Sequence, residues 1–188
     1  LTDRGHLAAE LIWDARLLIS TDLRKLQLNP KRYVRHLRLG DHAVLFYDTE
    51  DIKRDISYPF LQAGLLKGEA VVYIISEHNL DAEGQEIKWY GINLDQLREK
   101  AFTIVSAEEW YLRKGRLHAE TLIANAQTFI NEKQTDGFTG IRCAAEIGAL
   151  IENATSKELL RYEALLDRQF PLNLCTLCLY DTNRLDEE

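Results

Sequence analysis

Asp41-His42-Ala43-Val44-Leu45-Phe46-Tyr47-Asp48-Thr49-Glu50-Asp51-Ile52-Lys53-Arg54 is the stretch on which the fold turns. Its first half is a short apolar run, bounded by Gly40-Asp41 on one side and Asp48 on the other, and it reads as a buried parallel strand. A helix follows directly. Asp48 or Thr49 can cap its start, Ile52, Ile56, Phe60 and Ala63 mark its buried stripe, and Gly68 stands where a C-terminal cap belongs. Pro59 is expected to kink it. Where a strand runs straight into a helix, a nucleotide triphosphatase holds its phosphates with Gly-x-x-x-x-Gly-Lys-Ser/Thr. Here that place reads Tyr47-Asp48-Thr49-Glu50-Asp51-Ile52-Lys53-Arg54, without glycine and with acids at 48, 50 and 51. Such a turn neither curls around phosphate nor attracts it. Lys53 and Arg54 are expected on an exposed, solvated helix face.

Working outward, the pattern repeats. Ala70-Val71-Val72-Tyr73-Ile74-Ile75 is a second strand, rich in β-branched residues, and leads through Ser76 and Glu77 into helical sequence up to Tyr90-Gly91. A short helix from Asn93 precedes a third strand, Phe102-Thr103-Ile104-Val105. Leu122, Ile123, Ala126, Phe129 and Ile130 give the inward stripe of the next helix. Asp136-Gly137 and Gly140 frame a fourth strand around Ile141-Arg142-Cys143. Thr155-x-x-Glu158 is a capping box for a helix through Leu166 and Phe170, and Leu174 to Tyr180 is the last strand. Strands separated by helices imply an α/β fold, a mostly parallel central sheet with right-handed crossovers and helices on both faces. Ahead of it, Leu7, Leu11, Ala15, Leu18 and Ile19 predict an N-terminal amphipathic helix from His6 to Leu28, ended by Asn29-Pro30. The expected organisation is an N-terminal helix and basic linker over 1–39, then one domain over 40–188.

The 188 residues carry 46% apolar and 28% charged side chains, a globular balance. No apolar run approaches the length of about 20 residues that a bilayer crossing needs, and no membrane partner is expected. Cys143, Cys175 and Cys178 cannot all pair, so a reducing cytoplasm is the simpler compartment. A net charge of −7 argues against direct nucleic-acid binding, whose affinity comes mostly from Lys and Arg on phosphate. Locally, Arg24, Lys25, Lys31, Arg32, Arg35 and Arg38 form a basic strip, read as a solvated helix end and linker.

In an open parallel sheet the ligand crevice lies beyond the carboxyl ends of the strands. The residues read as following the strands are Tyr47 and Asp48, Ser76 and Glu77, Ser106, Glu108 and Glu109, Arg142 and Glu146, and Asp181. Together they suggest a pocket with carboxylates, one Arg and aromatic walls; the bland reading is that they cap helices and solvate loop tips. Cys175-x-x-Cys178 lies within a strand, where side chains three apart point to opposite faces, so the pair is read as buried and structural. No metal-ligand spacing joins His6, His36, His42, His78 and His118, and no catalytic motif of the Gly-x-Ser-x-Gly or His-Glu-x-x-His kind occurs. His42, just before the first strand, either touches a ligand or sits structurally at a strand edge. No catalytic residue, cofactor or metal is assigned.

The blocks Asp41 to Tyr47, Pro59-Phe60-Leu61-Gln62-Ala63-Gly64-Leu65-Leu66-Lys67-Gly68-Glu69-Ala70 with the strand after it, Gly137-Phe138-Thr139-Gly140-Ile141-Arg142, Tyr162-Glu163 and Cys178-Leu179-Tyr180-Asp181 resemble the MEDS family. The name stands for the methanogen/methylotroph DcmR sensory domain. The resemblance covers roughly residues 40 to 183, and Gly-Leu-x-x-Gly-Glu before an apolar strand is its most specific piece. The same block is similar to the segment after the phosphate loop of KaiC and RecA-like ATPases, which implies a RecA/KaiC-like fold without that loop. Ala145-Glu146-Ile147-Gly148 departs from the family, where an aromatic residue is expected. The resemblance implies a non-catalytic sensory domain that binds a small organic ligand and signals to a transcriptional regulator or kinase. Candidate ligand contacts are His42, Tyr47, Asp48, Glu77, Arg142 and Glu146, and the N-terminal helix is a candidate for homo-oligomerisation. Two other readings stand beside it: a KaiC-like nucleotide binder or ATPase with a degenerate loop and Glu77 as its carboxylate, and a ligand-free protein-interaction module.

Overall fold

Asn29 and Pro30 open a helix in the computed structural model, which describes residues 29–76, 80–111, 119–148, 161–162, 164–165 and 173–184. The expected N-terminal helix, Arg24 and Lys25, Glu77 and the Thr155-x-x-Glu158 box lie outside the described residues. Helix α1, Pro30–His36, stands where the sequence pattern predicts a helix stop at Asn29-Pro30. Asn29 caps it instead, its side chain accepting the Lys31 N–H at 2.9 Å, and Pro30 takes the first helical position, where its missing N–H costs nothing. A turn through Gly40, at φ +94, leads into β1, His42–Tyr47.

Helix α2, Glu50–Leu66, is capped by Thr49 and continues through Pro59, and Gly68 closes it at φ +74. Strand β2 is Ala70–Ile75 and helix α3 Leu80–Tyr90. After a short 3-10 turn at Leu94–Gln96 come β3, Phe102–Ser106, and directly from it α4, Ala107–Tyr111. Helix α5 is Ala119–Thr135, β4 Ile141–Glu146 and β5 Leu174–Asp181, followed by a 3-10 turn at Thr182–Arg184.

The sheet is parallel throughout, in the order β1-β5-β4-β2-β3. Alternation along its central strands divides the core. Val72, Ile74, Cys143, Ala145 and Cys178 face Leu122, Ile123 and Ile130 of α5. Val71, Tyr73, Ala144, Cys175 and Leu179 face Ile56, Phe60 and Leu61 of α2 and Ile87 of α3, and Val34 and Leu37 from the α1 segment join that side. Helices therefore cover both faces, as strands apolar on both sides require. Cys175 and Cys178 fall on opposite faces, both buried and neither in a disulfide. Among the described residues no helix is long and apolar enough to cross a membrane.

Candidate functional site at the carboxyl ends of the strands

The register sets Tyr47 beside Asp181 and Ile75 beside Ser106, and ends β4 at Glu146 against Leu179. The two loops after β1 and β5 are stitched together: the Thr182 hydroxyl donates to the Tyr47 carbonyl at 3.1 Å and the Asn183 amide to the Asp48 carbonyl at 2.9 Å. Tyr47 is buried, and Asp48 is exposed.

At the centre lies an ion pair. Lys53, in the first turn of α2, is 1% exposed and donates to Glu146 Oε1 at 2.7 Å; Glu50 Oε2 lies 2.6 Å from the same ammonium. The other Glu146 oxygen accepts the Ser76 N–H at 2.9 Å, so Glu146, itself 4% exposed, ties α2 to the end of β2. The Lys53 ammonium stands 5.8 Å from the centre of the Tyr47 ring. Burial pulls the Lys53 ammonium toward neutrality, but the charge and hydrogen bonds of Glu146 and Glu50 outweigh it and hold its pKa above the ordinary lysine value. Burial raises the Tyr47 phenol far above the usual tyrosine range, with Glu146, Asp181 and Glu50 adding to the shift and Arg184 opposing it. Arg184 lies 3.6 Å from Asp181 and packs on Gly148, where an added Cβ would meet its Nη1 at 3.4 Å. Chemically, this is a neutral phenol and an ammonium already paired with carboxylates, walled by Asp181 and Arg184. Among the described residues no group of His, Cys, Asp and Glu is set to hold a metal ion.

Residues 41–188 match the family described as MEDS: methanogen/methylotroph, DcmR sensory domain. The chain belongs to the MEDS family. Membership suggests a sensory or regulatory role. No curated protein matches the chain.

The MEDS domain places the expected site residues at two ends of the sheet. Tyr47, Asp48 and Glu146 gather at the carboxyl end, and Glu77 lies outside the described residues. Arg142 does not follow β4, as was expected; it is the second residue of that strand, four positions before Glu146, or about 13 Å at the usual strand rise. Fully buried there, it donates through Nε to Glu69 at 2.6 Å and through Nη2 to the Leu37 carbonyl at 2.8 Å, and its guanidinium lies 4.6 Å from the centre of the Phe60 ring. His42, the first residue of β1, is likewise at the amino end, with Nε2 3.3 Å from Cys178 Sγ.

Lys53 corrects a second expectation. It is buried rather than solvated, and Ile52, placed in the buried stripe, is 43% exposed. The start of α2 is rotated by one residue because the ammonium finds a carboxylate at the end of β4, whereas Ile52 there would leave Glu146 buried with no counter-charge. Sequence reasoning missed Glu50 and Lys53 as site residues. One signal was present: Lys53 occupies the lysine place of the eight-residue phosphate-loop frame. Away from this cluster, a groove of about 770 Å³ runs between α3 and the outer edge of β3, lined by Leu80, Lys88, Leu94, Arg98, Phe102 and Ile104 among others. Neither Lys53 nor Glu146 lines it.

Proposed function

We propose that this MEDS domain is a non-catalytic sensor that takes a small organic ligand at the carboxyl end of the sheet, beside Tyr47, Asp48 and the Lys53–Glu146 pair, and passes its state to a protein partner such as a transcriptional regulator or kinase. One observation carries the reading. The cation that stands where a triphosphate would be gripped is already held by Glu146 and Glu50, at 2.7 and 2.6 Å. Two backbone donors of the same turn are used as well: the Ile52 N–H points to the Thr49 hydroxyl at 3.4 Å and the Lys53 N–H to the Thr49 carbonyl at 3.1 Å. A phosphate arriving here meets carboxylates, the opposite of what anion binding at a helix start requires. A neutral phenol beside a lysine already paired with two carboxylates suits an uncharged polar molecule better than a nucleotide.

Calorimetric titration with ATP, with and without magnesium, tests this directly. The expected result is no binding at micromolar concentrations, together with a raised melting temperature for at least one compound in a panel of small uncharged organic molecules, since a ligand of the native state alone adds to its stability. Micromolar binding of ATP with magnesium would establish the nucleotide-binding alternative instead.

A further inference from the structure

Helix α2 packs against strand β4, and charged groups stand at both ends of the contact. At the carboxyl end Lys53 and Glu146 meet at 2.7 Å. At the amino end Arg142 runs beneath α2 at Gly64, where an added Cβ would lie 2.7 Å from Arg142 Cδ. The guanidinium then reaches Glu69 and the Leu37 carbonyl, the latter at 2.8 Å. Lys67, just past the last residue of α2, donates to that same Leu37 carbonyl at 2.5 Å and to the Arg35 carbonyl at 3.1 Å. The carbonyls closing α1 are thus gripped by one cation from β4 and one from the end of α2, the charge that a helix C-terminus favours. Val34 and Leu37 bury beneath this grip.

We infer that the Lys53–Glu146 pair and the clamp on Leu37 are coupled through α2 and β4, so that the segment 29–41 is the output of the carboxyl-end site. The inference rests on the sensory reading above and adds the route by which occupancy leaves the site. A helix and a strand packed at interior density shift as rigid pieces. A displacement of α2 along β4 at Lys53 therefore arrives at Gly64 and Lys67, where Arg142 leaves no slack, and moves the carbonyl they hold.

Hydrogen exchange by mass spectrometry or NMR tests this without any ligand, so a failed ligand search and a failed coupling are separate outcomes. The probes are the Arg38 amide, bonded to Asp41 Oδ2 at 2.7 Å, and the Gly40 amide, bonded to the Leu174 carbonyl at 2.8 Å. Lys67→Ala, which removes one of the two cations of the clamp directly, sets the reference for their exchange. Glu146→Gln, at the far end, is expected to speed exchange at both probes by about fivefold or more, the lower bound of ordinary site-to-site coupling, while α5 stays protected. If Glu146→Gln instead loosens the whole sheet, Glu50→Gln, which slackens Lys53 without touching β4, is held to the same criterion. Exchange at Arg38 and Gly40 that stays at the wild-type rate in these variants, while Lys67→Ala accelerates it, overturns the inference.

Discussion

Lys53 is a buried charge whose partners are identifiable, and its energetics follow from that. Glu146 is nearly as buried, so the pair is sensitive to losing one member and tolerant of losing both. Lys53→Met leaves a buried carboxylate held by the Ser76 N–H alone, and the urea midpoint should report a loss of about 3–5 kcal/mol. Adding Glu146→Gln removes the uncompensated charge and should restore part of that loss. Glu50, with 47% of its side chain exposed, belongs to a different regime: Glu50→Gln should cost no more than about 1 kcal/mol. A double variant less stable than Lys53→Met would show that Glu146 is not the residue Lys53 serves.

Between elements, the tightest constraint is the crossing of α2 over Arg142. Gly64→Ala puts a methyl within 2.9 Å of Arg142 Cβ as well as 2.7 Å from Cδ, and a Cβ anchored to a central strand cannot step aside. Denaturation should show a loss of about 1–3 kcal/mol, the usual penalty of overpacking, although alanine is the better helix former. The elements themselves were legible where composition was one-sided. Ala70 to Ile75 is apolar at every position, and β2 occupies that range. Legibility failed where a residue type has two uses. Asn-Pro closes helices and opens them, which hides α1; Ala144-Ala145-Glu146 has no strand signature, so the sequence pattern stops the fourth strand around Cys143 and puts Arg142 at the wrong end of the sheet. A five-residue helix such as α4 has no room for periodicity. That Tyr47, Asp48 and Glu146 lie at the carboxyl end was legible from the order of strand and helix, whereas the partner of Lys53 depends on which strand lies under α2, a matter of topology.

For the molecule as a whole, several buried acids share one direction of shift. Burial pushes the Cys143 and Cys175 thiols from 9.0 up to about 12, and it raises the Tyr47 and Tyr58 phenols well above 10.0. The unfolded chain therefore releases these protons at lower pH than the folded one. Stability is complete below pH 9.0, where both states hold the protons, and falls as pH rises through the window to about 12. Urea midpoints should be level around neutrality and decline progressively above pH 9.0. In Cys143→Ala/Cys175→Ala the decline should begin later, near the ordinary tyrosine value of 10.0. An unchanged onset in that variant would remove the thiols from the account.

The α1 segment precedes the first residue of the MEDS match, yet Val34 and Leu37 are interior side chains and a Leu37 oxygen accepts from the buried Arg142. A domain trimmed at Asp41 would therefore expose an apolar scar on one flank and leave a guanidinium hydrogen facing an empty slot. Whatever is joined upstream of this fold inherits a connection that enters the interior before it reaches the first strand.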